Sequence, residues 1–302
     1  NEDSMIDVCL AGTGGMKPLP DRFLTGLWAE HKGKALLIDC GEGMQTALAK
    51  AGVSLAKLDT LLITHFHADH IAGLPGLLLS AGNFGKSSPM VIYAPKGGRD
   101  IISRLCCICP ELPFDVDVHE IEGEGVIFRN GLEIRFMPVR HRIECYCWSI
   151  IENRPPVFSP EKADRLGVPV NMRSILHRGE CVEINGRIIS PEDVTEGKRP
   201  PLKVTYITDT VYFDGLSRFA ESSDLLICEG MYGDDEYIPK MTGKGHMVFS
   251  QAARTARDSD SKELWLTHFS PALKSPEEQL GSARQIYPNV NIGRDGLKRC
   301  IN

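Results

Sequence analysis

Four side chains able to bind a metal ion crowd the short segment "LLITHFHADHIAGL", residues 61–74. They are His65, His67, Asp69 and His70, and they directly follow a run of apolar, β-favouring residues. A strand ending there would place His65 at the carboxyl edge of a sheet, where open α/β sheets bind ligands. Four ligands do not easily share one zinc ion with an open position, but they can divide between two ions. The segment therefore predicts about half of a two-metal site.

Three later segments supply the missing ligands, each at the point where an apolar or β-branched run ends. "RFMPVRH" ends at His141, "LKVTYITD" ends at Asp209 and "KELWLTH" ends at His268. The segments "LLITH" and "LWLTH" are near copies of each other. A carboxylate such as that of Asp209 has two oxygens, so it can bridge two cations. We therefore expect a site built from strand ends that lie far apart in the chain.

The elements around these residues alternate between strand and helix signals, which predicts an α/β fold. Short strands dominate residues 115–152, with a turn at Asn130-Gly131. Residues 153–202 differ, because they are rich in proline and charge, and we interpret them as a surface arm or insertion. The strand–helix pattern then returns. The whole chain, 1–302, is predicted to be a single domain of two facing βα halves that carries this arm.

The composition limits the partners that the protein can have. The chain of 302 residues has a net charge of −6 and a pI of about 5.9. A protein that grips nucleic acid over its whole surface is usually basic, so any such contact needs a local patch or metal ions. We find no apolar run of about 18 residues or more and no signal-peptide pattern, so we expect no membrane contact.

The cysteines and the remaining histidines receive ordinary interpretations. We expect the ten cysteines to be reduced thiols of a cytoplasmic protein. The clusters "CCIC" and "CYC" could bind a metal, but they lack paired CxxC spacing, and their role stays open. These clusters contain Cys106, Cys107, Cys109, Cys145 and Cys147. The histidines outside any motif are expected in surface or loop roles: His31, His119 and His177. The glycines of "AGTGG" predict a tight turn near the metal site.

The motifs together resemble the metallo-β-lactamase fold family and, within it, ribonuclease Z, the tRNA 3′-processing endonucleases. The likeness spans nearly the whole chain. It rests on "LLIDCGEGMQTAL", "THFHADHIAGLPGLL", "RGECVEINGRIISPEDV", "YITDT", "CEGMY", "HMVFSQAARTA" and "LTHFSP". This resemblance implies an αββα sandwich with metal ions at the sheet edges. It also implies a metal-dependent hydrolase, a homodimer, and two Zn2+ ions per chain, with Mn2+ or Fe2+ as alternatives.

The resemblance assigns roles to individual residues of this sequence. One ion would be held by His65, His67 and His141, and the other by Asp69, His70 and His268, with Asp209 bridging them. Metal-activated water would attack phosphorus, and Asp69 would accept its proton. His246 matches the acid that protonates the leaving oxygen, and Glu229 matches the carboxylate that orients it. Asp39 matches a carboxylate that hydrogen-bonds the ligands.

The substrate is less constrained than the metal site. Residues 151–203 contain nine Lys and Arg against eight Asp and Glu, an excess of 9 − 8 = 1, whereas an RNA-clasping arm is usually more cationic. Met247 and Val248 also stand where the family has hydroxyl residues. Precursor tRNA is the favoured substrate, and a small phosphodiester such as a cyclic nucleotide is the alternative. A lactone or thioester hydrolase and a non-enzymatic metal-binding protein are less favoured.

Overall fold

A computed structural model describes residues 5–109 and 111–302 of the chain. The chain divides into two compact units, one formed by residues up to 152 together with 202–302, and the other by residues 153–201. The predicted arm, 153–202, has nearly the same bounds. That the whole chain behaves as a single domain stays a prediction.

The strands in chain order are β1 Ile6–Gly12, β2 Gly26–His31, β3 Lys34–Ile38, β4 Leu58–Leu62, β5 Met90–Pro95, β6 Val116–Ile121, β7 Gly125–Arg129, β8 Leu132–Pro138, β9 Tyr146–Glu152, β10 Val157–Phe158, β11 Val182–Ile184, β12 Arg187–Ile189, β13 Thr195–Glu196, β14 Leu202–Ile207, β15 Leu225–Glu229, β16 Leu264–Thr267, β17 Val290–Ile292 and β18 Leu297–Ile301. The α-helices are α1 Met44–Ala51, α2 Ala68–Ile71, α3 Leu74–Asn83, α4 Gly98–Leu105, α5 Pro160–Arg165, α6 Val170–His177, α7 Gly215–Phe219, α8 Ile238–Lys244, α9 Phe249–Asp258 and α10 Gly281–Ile286.

The larger unit contains two seven-stranded mixed sheets. The first has the strand order β18-β1-β2-β3-β4-β5-β6, and the second has the order β17-β16-β15-β14-β9-β8-β7. A buried apolar layer with Leu27, Trp148 and Ile227 lies between them. A second layer joins the first sheet to α1 and α3, and a third joins the second sheet to α9. The predicted α/β class and αββα sandwich are confirmed.

The parallel strands of the two sheets explain where the polar strand ends lie. In the first sheet β3 pairs in parallel with β4, and in the second β14, β15 and β16 run parallel to one another. Parallel neighbours deliver their carboxyl ends to the same sheet edge, which is where α/β sheets bind ligands. The residues that follow these strands are therefore brought together although they are distant in sequence.

Residues 68–83 form two helices, α2 with Asp69 and His70 and then α3. Pro75 lies in the first turn of α3, where its missing N–H disturbs no helical hydrogen bond. Gly73 precedes this turn and packs against the backbone of Gly41, since a Cβ at Gly73 would lie 2.0 Å from the Gly41 carbonyl oxygen. The break in the helix therefore brings the chain after His70 against the turn that follows β3.

The smaller unit has short strands, two helices and its own apolar core. Strands β10 and β13 pair, as do β11 and β12, and Ser159 caps α5 by accepting a hydrogen bond from the Lys162 N–H. Its core contains Ala163, Val168, Leu176, Val182, Ile189 and Val194. The unit is thus a small folded insertion that begins after β9 and ends before β14.

Three expectations about single features can be compared with the structure. His31 is not a surface or loop residue, because it lies buried at the end of β2, where its ring bonds the Met5 carbonyl. This expectation was wrong because a lone histidine in an apolar stretch gives no sign of which face of the strand it occupies. All ten cysteines are free thiols, as expected. In the part of the chain that the structure describes, no helix is long and apolar enough to span a bilayer.

The layer between the sheets sets the stability of the larger unit. We predict that Ile227→Ala lowers the free energy of unfolding by about 2–5 kcal/mol, because it leaves a cavity at a fully buried position. Val126→Ala on strand β7 is the control, since that side chain is 49% exposed and its loss should cost about 0.5 kcal/mol or less. Urea unfolding curves measure both variants, and equal midpoint shifts would contradict this account of the core.

Candidate metal centre

The predicted ligands converge into two groups at the shared edge of the sheets. In the first group, His65 and His67 follow β4, His141 follows β8 and Asp209 follows β14. One ligand atom from each lies within 4.8 Å of every other. The second group contains Asp69, His70 and His268 within the same limit. Every metal ligand predicted from the sequence therefore lies in one of two adjoining groups.

Asp209 connects the two groups through its two carboxylate oxygens. Oδ2 lies 3.6 Å from His65 Nε2 and 3.7 Å from His141 Nε2. Oδ1 lies 3.2 Å from the Nε2 atoms of both His70 and His268. The carboxylate is buried, and each oxygen faces a different group. This geometry is what a carboxylate that bridges two cations requires.

Hydrogen bonds on the outer side of the rings determine which imidazole nitrogens face inward. His141 Nδ1 lies 2.9 Å from the Gly245 carbonyl oxygen, and His70 Nδ1 lies 2.7 Å from Asp39 Oδ2. His65 Nδ1 lies 2.9 Å from the hydroxyl of Thr64. When each Nδ1–H donates to its oxygen, each Nε2 presents a lone pair to the centre of its group. The protonation pattern that these bonds favour is the one that metal binding needs.

Asp39 supports ligands of both groups at once. Besides His70, it accepts hydrogen bonds from the Thr64 N–H at 2.8 Å and from the Thr64 hydroxyl at 2.9 Å. Thr64 in turn contacts His65, so one buried carboxylate orients His70 directly and His65 through Thr64. Thr64 was not predicted from the sequence. The "TH" repeat could have drawn attention to it, but Thr267 in the second copy bonds Thr25 instead.

The ring nitrogens that face the centre of each group are better suited to bind a metal ion than to contact one another. His70 Nε2 and His268 Nε2 are 3.3 Å apart, and His65 Nε2 lies 2.9 Å from His67 Nδ1. Lone pairs that face each other repel, and a shared cation removes that repulsion. Imidazole and carboxylate donors also suit zinc and similar divalent ions. The residues present thus fit a centre of divalent metal ions.

His246 and Glu229 form a buried pair beside the two groups. His246 Nδ1 lies 2.9 Å from Glu229 Oε2, while Glu229 Oε1 accepts the Thr210 N–H at 2.6 Å. Burial lowers the pKa of His246, but the Glu229 carboxylate outweighs that effect and raises the pKa to about 9. The ring centroid of His246 lies 5.1 Å from that of His141. The Glu229 carboxylate thus favours the protonated form of His246 at the border of the site.

Asp69 occupies a different position, at the opening of the second group. It is partly exposed, and its Oδ2 accepts the Met16 N–H at 2.7 Å. Burial raises the pKa of Asp69, but hydrogen bonds from His268 and His70 outweigh it, so the pKa lies well below its usual range. This lowered pKa keeps the Asp69 carboxylate ionised.

Two glycines allow backbone to approach the ligand rings. A Cβ at Gly15 would lie 2.8 Å from the His268 ring, and one at Gly245 would lie 2.6 Å from His141 Nδ1. Gly245 also has φ +83°, which side chains disfavour. The "AGTGG" glycines lie beside the site, but the expected tight turn is wrong, because Gly12 ends β1 and Gly14 forms β-bridges with Leu24 and Phe269 in extended chain. Gly245 was not identified from the sequence, although it precedes His246.

The other polar clusters of the sequence lie outside these groups. His119 is exposed on β6 beside Asp117, and His177 stacks on Phe158 in the smaller unit. Among the described residues, none of the cysteines takes part in a group of three or more metal-binding side chains. Cys145 lies just before β9 and Cys147 lies within it, and both are buried.

Comparison with known proteins places this site in a family. The family profile described as "Beta-lactamase superfamily domain" matches residues 194–269, and that described as "Anti-Pycsar protein Apyc1" matches residues 6–107. A relative from Agathobacter rectalis named "Ribonuclease Z" is 44% identical over 292 residues, which is 96% of each chain. The chain belongs to the ribonuclease Z family. It is accordingly a metal-dependent hydrolase of the metallo-β-lactamase fold.

Solved structures agree with this family assignment. The short form of human tRNase Z superposes with a TM-score of 0.69 at 25% identity, covering 97% of this chain and 98% of the human one. The metallo-β-lactamase fold protein YhfI from Bacillus subtilis superposes with a TM-score of 0.71 at 21% identity, covering 98% and 99%. The second likeness concerns the fold alone. The ribonuclease Z resemblance stated from the motifs is confirmed.

The contacts of Thr64 predict a specific effect on metal affinity. Thr64→Val keeps the shape of the side chain but removes the hydroxyl that joins Asp39 to His65. We expect metal affinity to fall about 10–100-fold, the usual cost of losing a group that orients a ligand. Competition with a chromophoric chelator measures the affinity without any activity assay.

Thr267→Val is the matched control for this change. Thr267 is equally buried and also precedes a ligand histidine, but its hydroxyl bonds Thr25. We expect it to affect folding stability and to leave metal affinity near that of the natural protein. Equal losses of affinity in the two variants would contradict the role given to Thr64.

Proposed function

We propose that this protein is an endoribonuclease that removes 3′ trailers from tRNA precursors, using two Zn2+ ions at the histidine–aspartate centre. The observation that carries the two-ion proposal is Asp209, whose two oxygens face two separate ligand groups. The first ion would be held by His65, His67 and His141, and the second by Asp69, His70 and His268, with Asp209 shared. Ribonuclease Z relatives support the tRNA substrate.

Bound divalent ions would supply an activated water nucleophile and positive charge beside the phosphorus atom. Residues of the protein then accept and donate the protons. Asp69 accepts the proton of the attacking water at the opening of the site. His246 donates a proton to the 3′ oxygen that leaves, and Glu229 keeps His246 cationic and oriented until that step. Asp39 and Thr64 hold His65 and His70 in position.

The remaining expectations from the resemblance are also proposals. We infer that the protein acts as a homodimer in the cytoplasm and that Mn2+ or Fe2+ can replace zinc. The arm, residues 153–201, would contact the tRNA body. Its near-neutral charge favours the small-phosphodiester alternative, so the substrate needs a direct test.

The proton-donor role of His246 can be tested with two leaving groups. We predict that His246→Ala slows cleavage of a precursor tRNA about 10²–10⁴-fold, because the 3′ oxygen must be protonated to leave. Hydrolysis of bis(p-nitrophenyl) phosphate should change about tenfold or less, since p-nitrophenolate leaves without a proton. The measurement is kcat/KM on both substrates.

His119→Ala is the control for this comparison, because His119 is an exposed histidine on β6 outside the site. It should leave both rates unchanged. If His246→Ala slowed both substrates equally, its role as a leaving-group acid would be wrong and a role as a metal ligand would remain.

The arm can be removed at a natural junction. Glu152 and Leu202 face each other in the antiparallel β9–β14 ladder, so the two residues Asn-Gly can join them as a hairpin turn in place of 153–201. We predict that this deletion lowers precursor-tRNA cleavage at least about 100-fold, because phosphate contacts dominate RNA affinity. Hydrolysis of bis(p-nitrophenyl) phosphate should persist and thus report an intact centre.

The same assay separates the rival functions. Undiminished tRNA cleavage after the deletion would contradict the role of the arm. An intact protein that hydrolyses cyclic nucleotides or other small phosphodiesters but no precursor tRNA would favour the alternative substrate class. Turnover of lactones or thioesters without any phosphodiester cleavage would overturn both proposals.

A further inference from the structure

A cysteine-rich turn lies outside the metal centre, directly after α4. Cys106, Cys107 and Ile108 form one turn of 3₁₀-helix, and the Cys109 N–H donates to the Cys106 carbonyl oxygen at 2.9 Å. In a 3₁₀ turn the side chains of residues three apart lie one above the other. The side chains of Cys106 and Cys109 accordingly lie next to each other and line the same groove.

Both thiols are accessible to small molecules. Cys106 and Cys109 are partly exposed and line an open groove of about 560 Å³. Its walls include Leu78, Leu112 and Phe114. Buried cysteines such as Cys228 have no such access. The Cys106–Cys109 pair therefore differs from the thiols that only fill space in the core.

The pair lacks the partners that a metal site needs. Within residues 5–109 and 111–302, no third cysteine, histidine or carboxylate lies close enough to these two thiols to form a group of three ligands. A structural zinc site takes four ligands. Two adjacent free thiols without further ligands have a different characteristic reaction, which is oxidation to a disulfide.

We propose that Cys106 and Cys109 form a redox-sensitive dithiol that a low-molecular-weight disulfide converts into an intramolecular disulfide. The Cys109 thiolate attacks one sulfur of the external disulfide, forms a mixed disulfide and releases one external thiolate. Cys106 then loses its proton to solvent and attacks the Cys109 sulfur, releasing the second external thiolate. Two protein thiols are oxidised, and one external disulfide is reduced to two thiols.

The order of attack follows from the surroundings of the two sulfurs. Burial raises the pKa of Cys106 to about 12, and the neighbouring Cys109 adds to this effect. Cys106 is therefore a poor first nucleophile, since the thiolate is the reactive form. It acts second, when the mixed disulfide on Cys109 places a reactive sulfur beside it.

Oxidation would also change a contact of helix α3. The Cys109 thiol donates to the Pro75 carbonyl oxygen, with a sulfur–oxygen distance of 3.8 Å. A disulfide has no S–H, so this donor is lost. Pro75 lies in the first turn of α3, which follows the helix that carries His70. The redox state of the turn is thereby linked to the start of α3.

The test uses the natural full-length protein and oxidised glutathione as the probe. After reduction, removal of the reductant and exposure to the probe, remaining thiols are alkylated and the protein is digested with trypsin. Cleavage after Arg104 and Arg129 releases a single peptide, residues 105–129, which contains all three cysteines. We expect this peptide to lack two hydrogens and to carry one alkyl group, on Cys107.

Serine variants identify the bonded pair. Cys107→Ser should form the internal disulfide as the natural protein does, and because Cys107 is exposed this variant should fold normally. Cys106→Ser should instead retain glutathione on Cys109, because no second thiol displaces it. Cys109→Ser should lose the internal disulfide. Exposed Cys181 is an internal control that should carry glutathione without forming a bridge within the peptide 105–129.

Two results would overturn the proposal. One is a bridge that includes Cys107, which Cys107→Ser would abolish. The other is a stable glutathione adduct on Cys109 in the natural protein, with no internal disulfide. Neither result depends on nuclease activity, so failure of this proposal is distinguishable from failure of the proposed function.

Discussion

The rest of the site depends on the contacts between the buried Asp209 carboxylate and the histidines on either side of it. Its oxygens face His65 and His141 on one side and His70 and His268 on the other. A buried charge is costly unless it is paired, and imidazole nitrogens lie close to both oxygens of this carboxylate. One side chain therefore makes two ligand groups into one centre.

The backbone around this centre adopts conformations that side chains usually avoid. Asp39, Asp209 and His268 all have positive φ values, between 53° and 63°. Left-handed conformations of this kind cost about 1–3 kcal/mol each and persist where the surrounding structure imposes them. Asp39 and His268 directly follow β3 and β16, and Asp209 follows β14 after one residue. Local strain is thus offset by the two packed sheets.

The candidate metal centre and the arm belong to different compact units of the chain. The predicted metal ligands and His246 all lie in the larger unit, after its strands, in α2 or between α8 and α9. The arm has a separate core and joins the larger unit through two residues that already face each other in a ladder. Such an insertion can vary without disturbing the centre.

Much of the site could be predicted from the sequence because metal ligation restricts residue types. Histidine and carboxylate at strand ends are suited to complete "THFHADH", and His141, Asp209 and His268 are such residues. The family likeness of "CEGMY" and "HMVFSQAA" likewise indicated Glu229 and His246. Strand periodicity and the glycine turns were sufficient for the α/β class, because they depend on local patterns of apolar residues.

Only the tertiary structure determined which side chains contact each other. It showed that Thr64, and not Thr267, joins a supporting carboxylate to a ligand, although both precede a histidine in near-identical segments. It placed His31 in the core and brought the Cys106 and Cys109 thiols together in one turn. The sequence by itself determined the ligand types and the strands that carry them. Their partners depend on packing between residues up to about two hundred positions apart, which local patterns do not encode.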